Sequence, residues 1–315
     1  AYLTICFIGI PCITAYNVLA SIFRGMGDSR SPMYFIAAAC VVNIGLDFFF
    51  MGTLRLGPAG AALGTTLSQA VSVLLALCVI LKRRSIRLSK SDFCPRKATM
   101  KDILSIGLPV AAQDGFIQVS FMLITIMANQ RGLTDAAAVG IVEKIISFLF
   151  LVPSSMLSTV SALGAQNIGA GKYDRTDDIL RYAIAIGVGF GAVMALLMQF
   201  IAPSMVRPFT SDEAVVLAGA AYIRSYIFDC LFAGIQFSFS GYFCAWGRSG
   251  LSFLHNTLSI LLVRVPGAWL ACRFFPQTLV PMGLAPACGS LFSSIVCILL
   301  YRWMKRQNKP TGDKD

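Results

Sequence analysis

The chain has 315 residues, of which 57% are apolar and 13% are charged, and its formal net charge is +11. A soluble domain carries about 25% charged residues, so this chain has too little charge to cover a surface that faces water. The composition excludes a large soluble enzyme and favours an integral membrane protein.

Apolar runs follow one another along the chain. Each is about 20 residues long, which is enough to cross about 30 Å of hydrocarbon as an α-helix. We therefore predict an all-α polytopic membrane fold. Its nine predicted transmembrane helices lie at 2–23, 33–54, 59–81, 102–128, 136–160, 178–203, 214–245, 251–275 and 281–303.

The basic residues in the loops are concentrated on one side of the predicted membrane. If consecutive loops alternate between the two sides, one set of loops carries 19 Lys and Arg residues and the other set carries 4. This asymmetry is the positive-inside pattern, and it places the first set in the cytoplasm. A nucleic-acid-binding face would not sort its charges by alternate loops, so we expect no nucleic-acid partner.

The ten cysteines and the single histidine, His255, form no disulfide or metal-binding pattern. No CxxC pair occurs, and most of the cysteines lie in apolar runs, where they act as small apolar side chains. A zinc site made of clustered His and Cys is therefore excluded. The scattered acids offer no catalytic set, so we expect neither an enzyme nor a cofactor.

Two short polar hinges interrupt the apolar runs at matching points. The first reads FRGMGDSRSP at 23–32, and the second reads FCAWGRSG at 243–250. At an offset of 220 residues the two hinges share a Phe, a Gly and a Ser, and their glycines let the chain reverse. Two halves of the same orientation are a recurrent arrangement in secondary transporters, whose substrate sites lie between the halves.

This repeat predicts how the chain is divided into domains. We expect a partial N-terminal lobe at 1–88 with three transmembrane helices, a cytoplasmic linker at 89–101, and a C-terminal lobe at 102–315 with six helices and a short basic tail. Because one half has six spans and the other only three, we also expect that three more helices precede residue 1, giving twelve in all.

Ionisable side chains inside the spans are candidates for function, because a charge at the centre of a bilayer is costly. Asn43 and Asp47 lie one helical turn apart on one face, where a carboxylate and an amide oxygen could bind a small cation or hold a proton. The hydroxyl of Thr65, from the neighbouring helix, could join them. The alternative is that Asp47 lies near the outer end of its span, in water, and pairs with Arg55.

The second half carries its own candidates, Asp114, Glu143, Asp229 and Arg264. Asp114 follows the start of its helix by about one turn, where a capping or interfacial role is the alternative. Glu143 could face a cavity while the adjacent Lys144 extends toward the membrane surface. Asp229 could form a second ionisable site, and its alternative is a structural ion pair with Arg264 in the next span.

Several motifs resemble those of the MATE (multidrug and toxic compound extrusion) transporters, and the likeness covers essentially the whole chain. The most specific motif is GAQNIGAGKYDR at 164–175, a turn that follows the second span of a lobe. The others are FRGMGDSRSP (23–32), NIGLD (43–47), GPAGAALGTTLSQ (57–69) and GLPVAAQ (107–113). The resemblance implies two six-helix bundles around a central cavity, with this chain corresponding to the fourth through twelfth helices.

The resemblance also implies roles for individual residues. Asn43, Asp47 and Thr65 match positions that line the cation site in the first lobe of some prokaryotic members. Asp47 is therefore the expected Na⁺ ligand if the protein is coupled to sodium. The family's acids in the second lobe lie about one turn beyond Asp114 and Asp229, so these two positions match less closely.

We therefore expect a secondary antiporter of the plasma membrane that exports small organic cations, driven by an inward gradient of Na⁺ or H⁺. The surrounding partner is the lipid bilayer, and we expect a monomer. One alternative is a flippase of lipid-linked oligosaccharides from the same superfamily, which would need a cavity rich in Arg and Lys. The other is an inactive truncated fragment.

Overall fold

The computed structural model describes residues 2–82 and 96–307, and within these residues the chain forms helices and no strands. The predicted linker at 89–101 lies outside the described residues as far as residue 95. Its last five residues begin a long helix at Lys97. The all-α class predicted from the composition is therefore confirmed for the part of the chain that the structure describes.

The helices are named here in chain order. They are α1 (Tyr2–Gly25), α2 (Arg30–Asp47), α3 (Pro58–Lys82), α4 (Lys97–Arg131), α5 (Leu133–Leu149), α6 (Leu151–Gly169), α7 (Tyr173–Val206), α8 (Glu213–Tyr226), α9 (Phe228–Ala245), α10 (Ser249–Ser259), α11 (Val265–Phe274) and α12 (Val280–Gln307). Two π-helical turns, at Phe48–Thr53 and Ile260–Arg264, extend α2 and α10.

Across residues 2–82 and 96–307 these helices form nine segments long and apolar enough to cross a membrane, as predicted. Some segments contain two helices in line. One is interrupted at Phe150 and another at Ile227. Pro153 explains the first interruption, because proline lacks an amide hydrogen and its ring clashes with the carbonyl four residues earlier. Hydropathy does not reveal such breaks, since the composition stays apolar across them.

Both hinges between spans have the same local backbone geometry. Gly27 has a φ of 84° and Gly247 a φ of 68°, values in the left-handed region that favours glycine. In each hinge the amide after the glycine donates to the carbonyl oxygen of the first phenylalanine, at 2.9 Å for Phe23 and 2.8 Å for Phe243. This hydrogen bond closes the end of a helix in the Schellman arrangement.

The chain divides into two compact units after residue 96. In the first unit, α1 and α2 both pack against α3. Its buried core lies near the hinge, where the rings of Phe23 and Phe35 meet edge to face with centroids 5.5 Å apart. The Tyr16 hydroxyl also donates to the carbonyl oxygen of Pro32 at 2.9 Å, which ties α1 to α2.

Helix α9 lies at the centre of the second unit. It packs against α6, α7 and α12, and its side chains are mostly buried. The surrounding helices instead carry large apolar side chains on their outer faces, among them Leu133, Phe148 and Phe200, which are strongly exposed. Such an apolar exterior suits lipid rather than water.

Arg131 fastens the end of α4 to the segment between α11 and α12. Its Nε atom lies 2.7 Å from Oδ2 of Asp135. Its Nη1 donates to the carbonyl oxygen of Phe275 at 3.1 Å, and its Nη2 donates to those of Pro276 and Thr278 at 2.9 and 3.0 Å. One guanidinium thus satisfies a carboxylate and three backbone carbonyls.

We expect Arg131→Gln to lower the free energy of unfolding by about 2 kcal/mol, because charge-assisted hydrogen bonds to a 7% exposed side chain are lost. Thermal unfolding of the purified protein in detergent measures this change. Arg207→Gln is the matched control: its ion pair with Glu213 spans 3.1 Å, but both side chains are more than half exposed, so little change is expected. Equal melting temperatures for the two variants would contradict the prediction.

Candidate functional site

The first candidate group lies in the first unit, at the end of α2. Asn43 and Asp47 are one turn apart, and each has a buried side-chain atom without a hydrogen-bond partner among the described residues: Nδ2 of Asn43 and Oδ1 of Asp47. Such atoms are rare in folded proteins, because each costs about 1–3 kcal/mol. The unpartnered Asp47 oxygen is therefore a place where a proton or a small cation would gain binding energy, whereas Nδ2 of Asn43 is a donor and calls for an acceptor.

Asp47 lies against a glycine on the next helix. A Cβ atom at Gly64 of α3 would collide with Oδ1 of Asp47, so the small residue allows α3 to approach the carboxyl group closely. The structure shows no ion pair between Asp47 and Arg55 in the residues it describes. Instead, the Asp47 oxygen at the glycine is buried.

Thr65 follows this glycine but directs its hydroxyl elsewhere. Its Oγ1 donates to the carbonyl oxygen of Ala61 at 2.9 Å within its own helix, and the side chain is exposed. Among residues 2–82 no hydrogen bond joins Thr65 to Asp47. The structure therefore brings Asn43 and Asp47 together, whereas a role for Thr65 requires rotation of its side chain.

A π-helical turn, Phe48–Thr53, begins directly after Asp47. Within it Phe50 packs against α3, because a Cβ at Gly60 would lie 3.0 Å from the Cβ of Phe50. A π turn holds an extra residue relative to an α turn, and such turns are frequent at functional sites. Conversion between the two forms would rotate the end of the helix that follows the Asp47 carboxyl group.

The second candidate group surrounds a cavity of 420 Å³ in the second unit. This volume falls in the range of small-molecule sites, about 300–1,000 Å³. The lining combines five apolar side chains, three of them phenylalanines, with eight polar or charged ones. It consists of Ile117, Gln118, Phe121, Glu143, Lys144, Ile146, Ser147, Phe150, Ser154, Gln236, Phe237, Asn256 and Arg264.

Glu143 is the acid of this lining. It lies on α5, and the Thr125 hydroxyl of α4 donates to its Oε1 at 3.1 Å. The same hydroxyl lies 2.9 Å from the carbonyl oxygen of Phe121, so the threonine links the two helices at the wall of the cavity. The side chain is half-buried and contributes to the lining of the cavity.

Arg264 is the buried cation of the lining and ends the π-helical turn after α10. Its Nη2 donates to the Tyr226 hydroxyl at 2.9 Å. Its Cζ lies 4.7 Å from the centroid of the Phe121 ring, a cation–π distance. The buried Nε has no hydrogen-bond acceptor among the described residues.

Asp229 is not among the residues that line the cavity. It is fully buried in the first turn of α9, and neither carboxylate oxygen has a hydrogen-bond partner within the described residues, although the Ser290 hydroxyl approaches the group. Asp229 and Arg264 interact electrostatically, but no ion pair within 4 Å joins them in the described part of the chain. The acid is thus a near neighbour of the arginine without a direct bond to it.

Asp114 lies apart from this group. It is exposed on α4, while the cavity is lined by the next turns of the same helix, at Ile117, Gln118 and Phe121. The adjacent Gln113 is buried and accepts a hydrogen bond from Ser252 at 2.7 Å. Of the four predicted residues of the second half, Glu143 and Arg264 therefore line the cavity, whereas Asp229 and Asp114 do not.

Sequence reasoning did not single out several polar residues of the cavity and its wall. Gln236 and Asn256 line it, and Thr125 and Tyr226 hold the charged groups in place. The two amides could have been found, because an uncharged polar side chain in a membrane span needs an internal partner. Threonine and tyrosine give no such signal, since both occur at many positions in membrane helices.

His255 has a structural place in the core of the second unit. Its Nε2 lies 3.0 Å from the Ser240 hydroxyl of α9, and its Nδ1 lies 2.7 Å from the Ser293 hydroxyl of α12. Both ring nitrogens are thus occupied by hydroxyl groups. Across residues 2–82 and 96–307 no group of three or more His, Cys, Asp and Glu side chains is placed to hold a metal ion.

Comparison with known proteins shows the family to which this architecture belongs. The family model MatE matches residues 1–49 and 109–270. The chain is 30% identical over 305 residues to the probable multidrug resistance protein YpnP of Bacillus subtilis (strain 168), covering 96% of this chain and 67% of YpnP. It is 27% identical over 252 residues to the multidrug export protein MepA of Staphylococcus aureus (strain NCTC 8325 / PS 47), covering 78% of this chain and 55% of MepA.

A solved structure has the same fold. An outward-facing multidrug resistance MATE family transporter of the MOP superfamily superposes with a TM-score of 0.90 at 21% identity, covering 97% of this chain and 69% of the other. The chain thus spans about two thirds of the length of this structure and of YpnP. The family match, the relatives and the nine apolar spans agree, and the chain belongs to the MatE family of multi-pass membrane transporters, which in bacteria reside in the plasma membrane.

Proposed function

We propose that the protein is a secondary active antiporter that exports organic cations in exchange for Na⁺ or H⁺ entering the cell. The names of its relatives support multidrug export, since they are described as multidrug resistance or export proteins. The observation that supports coupling to an ion is the buried Oδ1 of Asp47. This atom lies in a membrane span and has no hydrogen-bond partner in the described residues. A carboxylate oxygen that is buried without a partner gains most from a proton or a cation.

The proposed coupling acts through the helix that carries this carboxyl group. Asp47 is followed at once by the π-helical turn Phe48–Thr53, which packs on Gly60 of α3. Binding of the ion would neutralise Asp47 and favour a different packing of this turn. If the protein binds substrate more weakly when the turn is packed in this second way, entry of the ion drives release of the substrate, as linkage requires.

The cavity in the second unit supports small organic molecules as substrates. Phe121, Phe150 and Phe237 contribute aromatic side chains to its lining, and Glu143 contributes a carboxylate. Aromatic faces attract organic cations, and an acid in an apolar pocket adds a charge partner. The proposed substrate is therefore a flat or aromatic organic compound that carries a positive charge.

The same lining argues against the flippase alternative. A lipid-linked oligosaccharide carries a pyrophosphate group, which would call for several cations without a competing acid. The cavity has two cations, Lys144 and Arg264, with Glu143 in the same wall. Lys144 is exposed, so one buried cation remains in the lining, which is a weak match to a doubly charged headgroup.

Transport by the purified protein in liposomes tests the proposal. Vesicles loaded with ethidium, an aromatic cation, are given an inward gradient of Na⁺ at constant pH or an inward gradient of H⁺ without Na⁺. We expect one of the two gradients to accelerate loss of ethidium, and the matching ionophore, monensin for Na⁺ or nigericin for H⁺, to remove the effect. Loss no faster than from protein-free vesicles under both gradients would contradict antiport and favour the inactive-fragment alternative.

A further inference from the structure

The first three turns of α4 present a helix face that changes from basic to apolar along its length. Lys97, Lys101, Leu104 and Leu108 are separated by four, three and four positions, so their side chains share one face. An open groove runs along this face. Within the described residues its lining consists of Lys97, Met100, Lys101, Leu104, Ser105 and Leu108. The groove therefore has two cations at one end and an apolar surface at the other.

This face has no protein cover within the described part of the chain. Residues 97–108 are all exposed, whereas the buried residues of α4 begin only at Gln113. Leu104 and Leu108 are 55% and 67% exposed. The ammonium groups of Lys97 and Lys101 form no ion pair or hydrogen bond among residues 2–82 and 96–307. Both the charge and the apolar surface of the groove are thus available to a partner.

A hydrogen bond to the next helix indicates the depth of the groove in the membrane. The Ser249 hydroxyl, at the start of α10, donates to the carbonyl oxygen of Ser105 at 3.2 Å. Ser249 belongs to the second hinge between spans, which the positive-inside pattern places at the cytoplasmic surface. At about 1.5 Å per residue, Lys101 and Lys97 lie about 6 and 12 Å beyond Ser105, and Leu108 lies about 5 Å before it. The cations are therefore at the level of the lipid headgroups, and the leucines lie where the acyl chains begin.

The charges around the groove favour an anionic partner. Asp102 is the one acid between residues 97 and 108, and it lies outside the groove lining, about 100° around the helix axis from Lys101. The preceding segment 83–95 contains four basic residues and one acid, so its sequence adds positive charge rather than a counter-ion for the lysines. An acidic peptide would match the lysines alone, whereas an anionic lipid would match the lysines and the leucines together.

We propose that this groove of α4 binds an anionic phospholipid of the cytoplasmic leaflet, with its phosphate on Lys97 and Lys101 and an acyl chain along Leu104 and Leu108. Each basic residue near a membrane surface adds to the attraction for anionic lipids. Lysine binds phosphate as a point charge, and its long stem covers apolar surface while the ammonium group reaches the headgroup. The inference goes beyond the proposed export, because the groove shares no residue with the lining of the cavity.

Native mass spectrometry of the purified protein in detergent tests the proposal. The probes are dioleoylphosphatidylglycerol, which is anionic, and dioleoylphosphatidylcholine, which has the same acyl chains and a zwitterionic headgroup. We expect the first bound phosphatidylglycerol to have an affinity about tenfold higher than that of phosphatidylcholine, the effect of two lysines at a membrane surface. Glycerol 3-phosphate, which has the phosphate without the acyl chains, should not displace the lipid.

Two double variants separate this groove from general surface charge. Lys97→Gln with Lys101→Gln should lose most of the preference for phosphatidylglycerol, and the helix should persist because glutamine is a good helix former. Lys172→Gln with Arg181→Gln is the matched control. It removes two exposed cations from another cytoplasmic loop and the helix that follows it, and it should keep the preference. Size-exclusion profiles show whether each variant is folded.

A second measurement locates the lipid on the unmodified protein. In nanodiscs of phosphatidylglycerol, Lys97 and Lys101 should be acetylated more slowly by an added reagent than in nanodiscs of phosphatidylcholine, and Lys172 should change less. Equal affinity for the two lipids, an equal loss of preference in both double variants, or equal protection of all three lysines would overturn the proposal. Displacement of the lipid by glycerol 3-phosphate would also overturn it, since the site would then bind free phosphate. These results leave the export proposal to its own test with ethidium.

Discussion

Replacing Asp47 with asparagine should abolish ion-driven export and leave the protein folded and inserted in the membrane. Asparagine has nearly the same shape, so it preserves the packing of Asp47 against Gly64. It carries no negative charge and does not take up a proton, so it removes the group whose binding to Na⁺ or H⁺ is proposed to shift the adjoining π-helical turn. Ethidium export from liposomes under the effective gradient measures the loss.

Two controls make this result specific. Asp178→Asn changes an exposed acid that lies 3.8 Å from Arg181, and it should export normally. Gly64→Ala should impair export as the Asp47 variant does, because the added Cβ would collide with the Asp47 oxygen. Gly45→Ala should export normally, because a Cβ at that position would have no neighbour within 4 Å. Normal export by Asp47→Asn would show that the first unit does not couple transport to an ion.

The second large effect concerns the crossing of α7 and α9, where Gly191→Ala should strongly destabilise the protein. A Cβ at Gly191 would lie 2.5 Å from Cα and 2.8 Å from N of Leu231, both of them backbone atoms that cannot turn aside. The two helices would have to move apart along their contact in the core of the second unit. We expect a loss of about 1–3 kcal/mol, the usual cost of forcing an extra methyl group into a packed core.

The matched control for this variant lies in the same turn. Gly189→Ala adds the same methyl group to the same helix, but its Cβ would have no neighbour within 4 Å. It should leave the stability unchanged or raise it, since alanine is the better helix former. Thermal unfolding in detergent compares the two variants, and a similar decrease in melting temperature for both would contradict the close approach of α7 and α9.

The two candidate sites differ in how far they could be predicted. Asn43 and Asp47 are four residues apart, and a regular helix always places such a pair on one face. The burial of one side-chain atom on each residue needs no knowledge of distant contacts beyond a neighbouring helix with a small residue. The sequence therefore predicts that this pair shares a helix face, while the direction of the Thr65 hydroxyl depends on a rotamer that local sequence does not determine.

The second site depends on contacts over long distances in sequence. Glu143 and Arg264 lie on helices that are 121 positions apart in the chain, and they share a cavity wall only because α5 and the turn after α10 face the same space. Asp114 was an equally reasonable candidate from its position in a span. Its helix is rotated so that the next turn, at Ile117 and Phe121, faces the cavity instead.

The sequence by itself determined the membrane class, the nine spans, their hinges and the family resemblance. The reason is that a bilayer imposes a fixed length of apolar residues, and a helix end imposes glycine where φ is positive, so both are local requirements. The tertiary structure alone decided the central position of α9, the breaks at Phe150 and Ile227, and the placement of Glu143 and Arg264 in the lining of one cavity. These depend on how each helix is rotated about its axis, which is set by packing against neighbours and leaves little trace in a uniformly apolar segment.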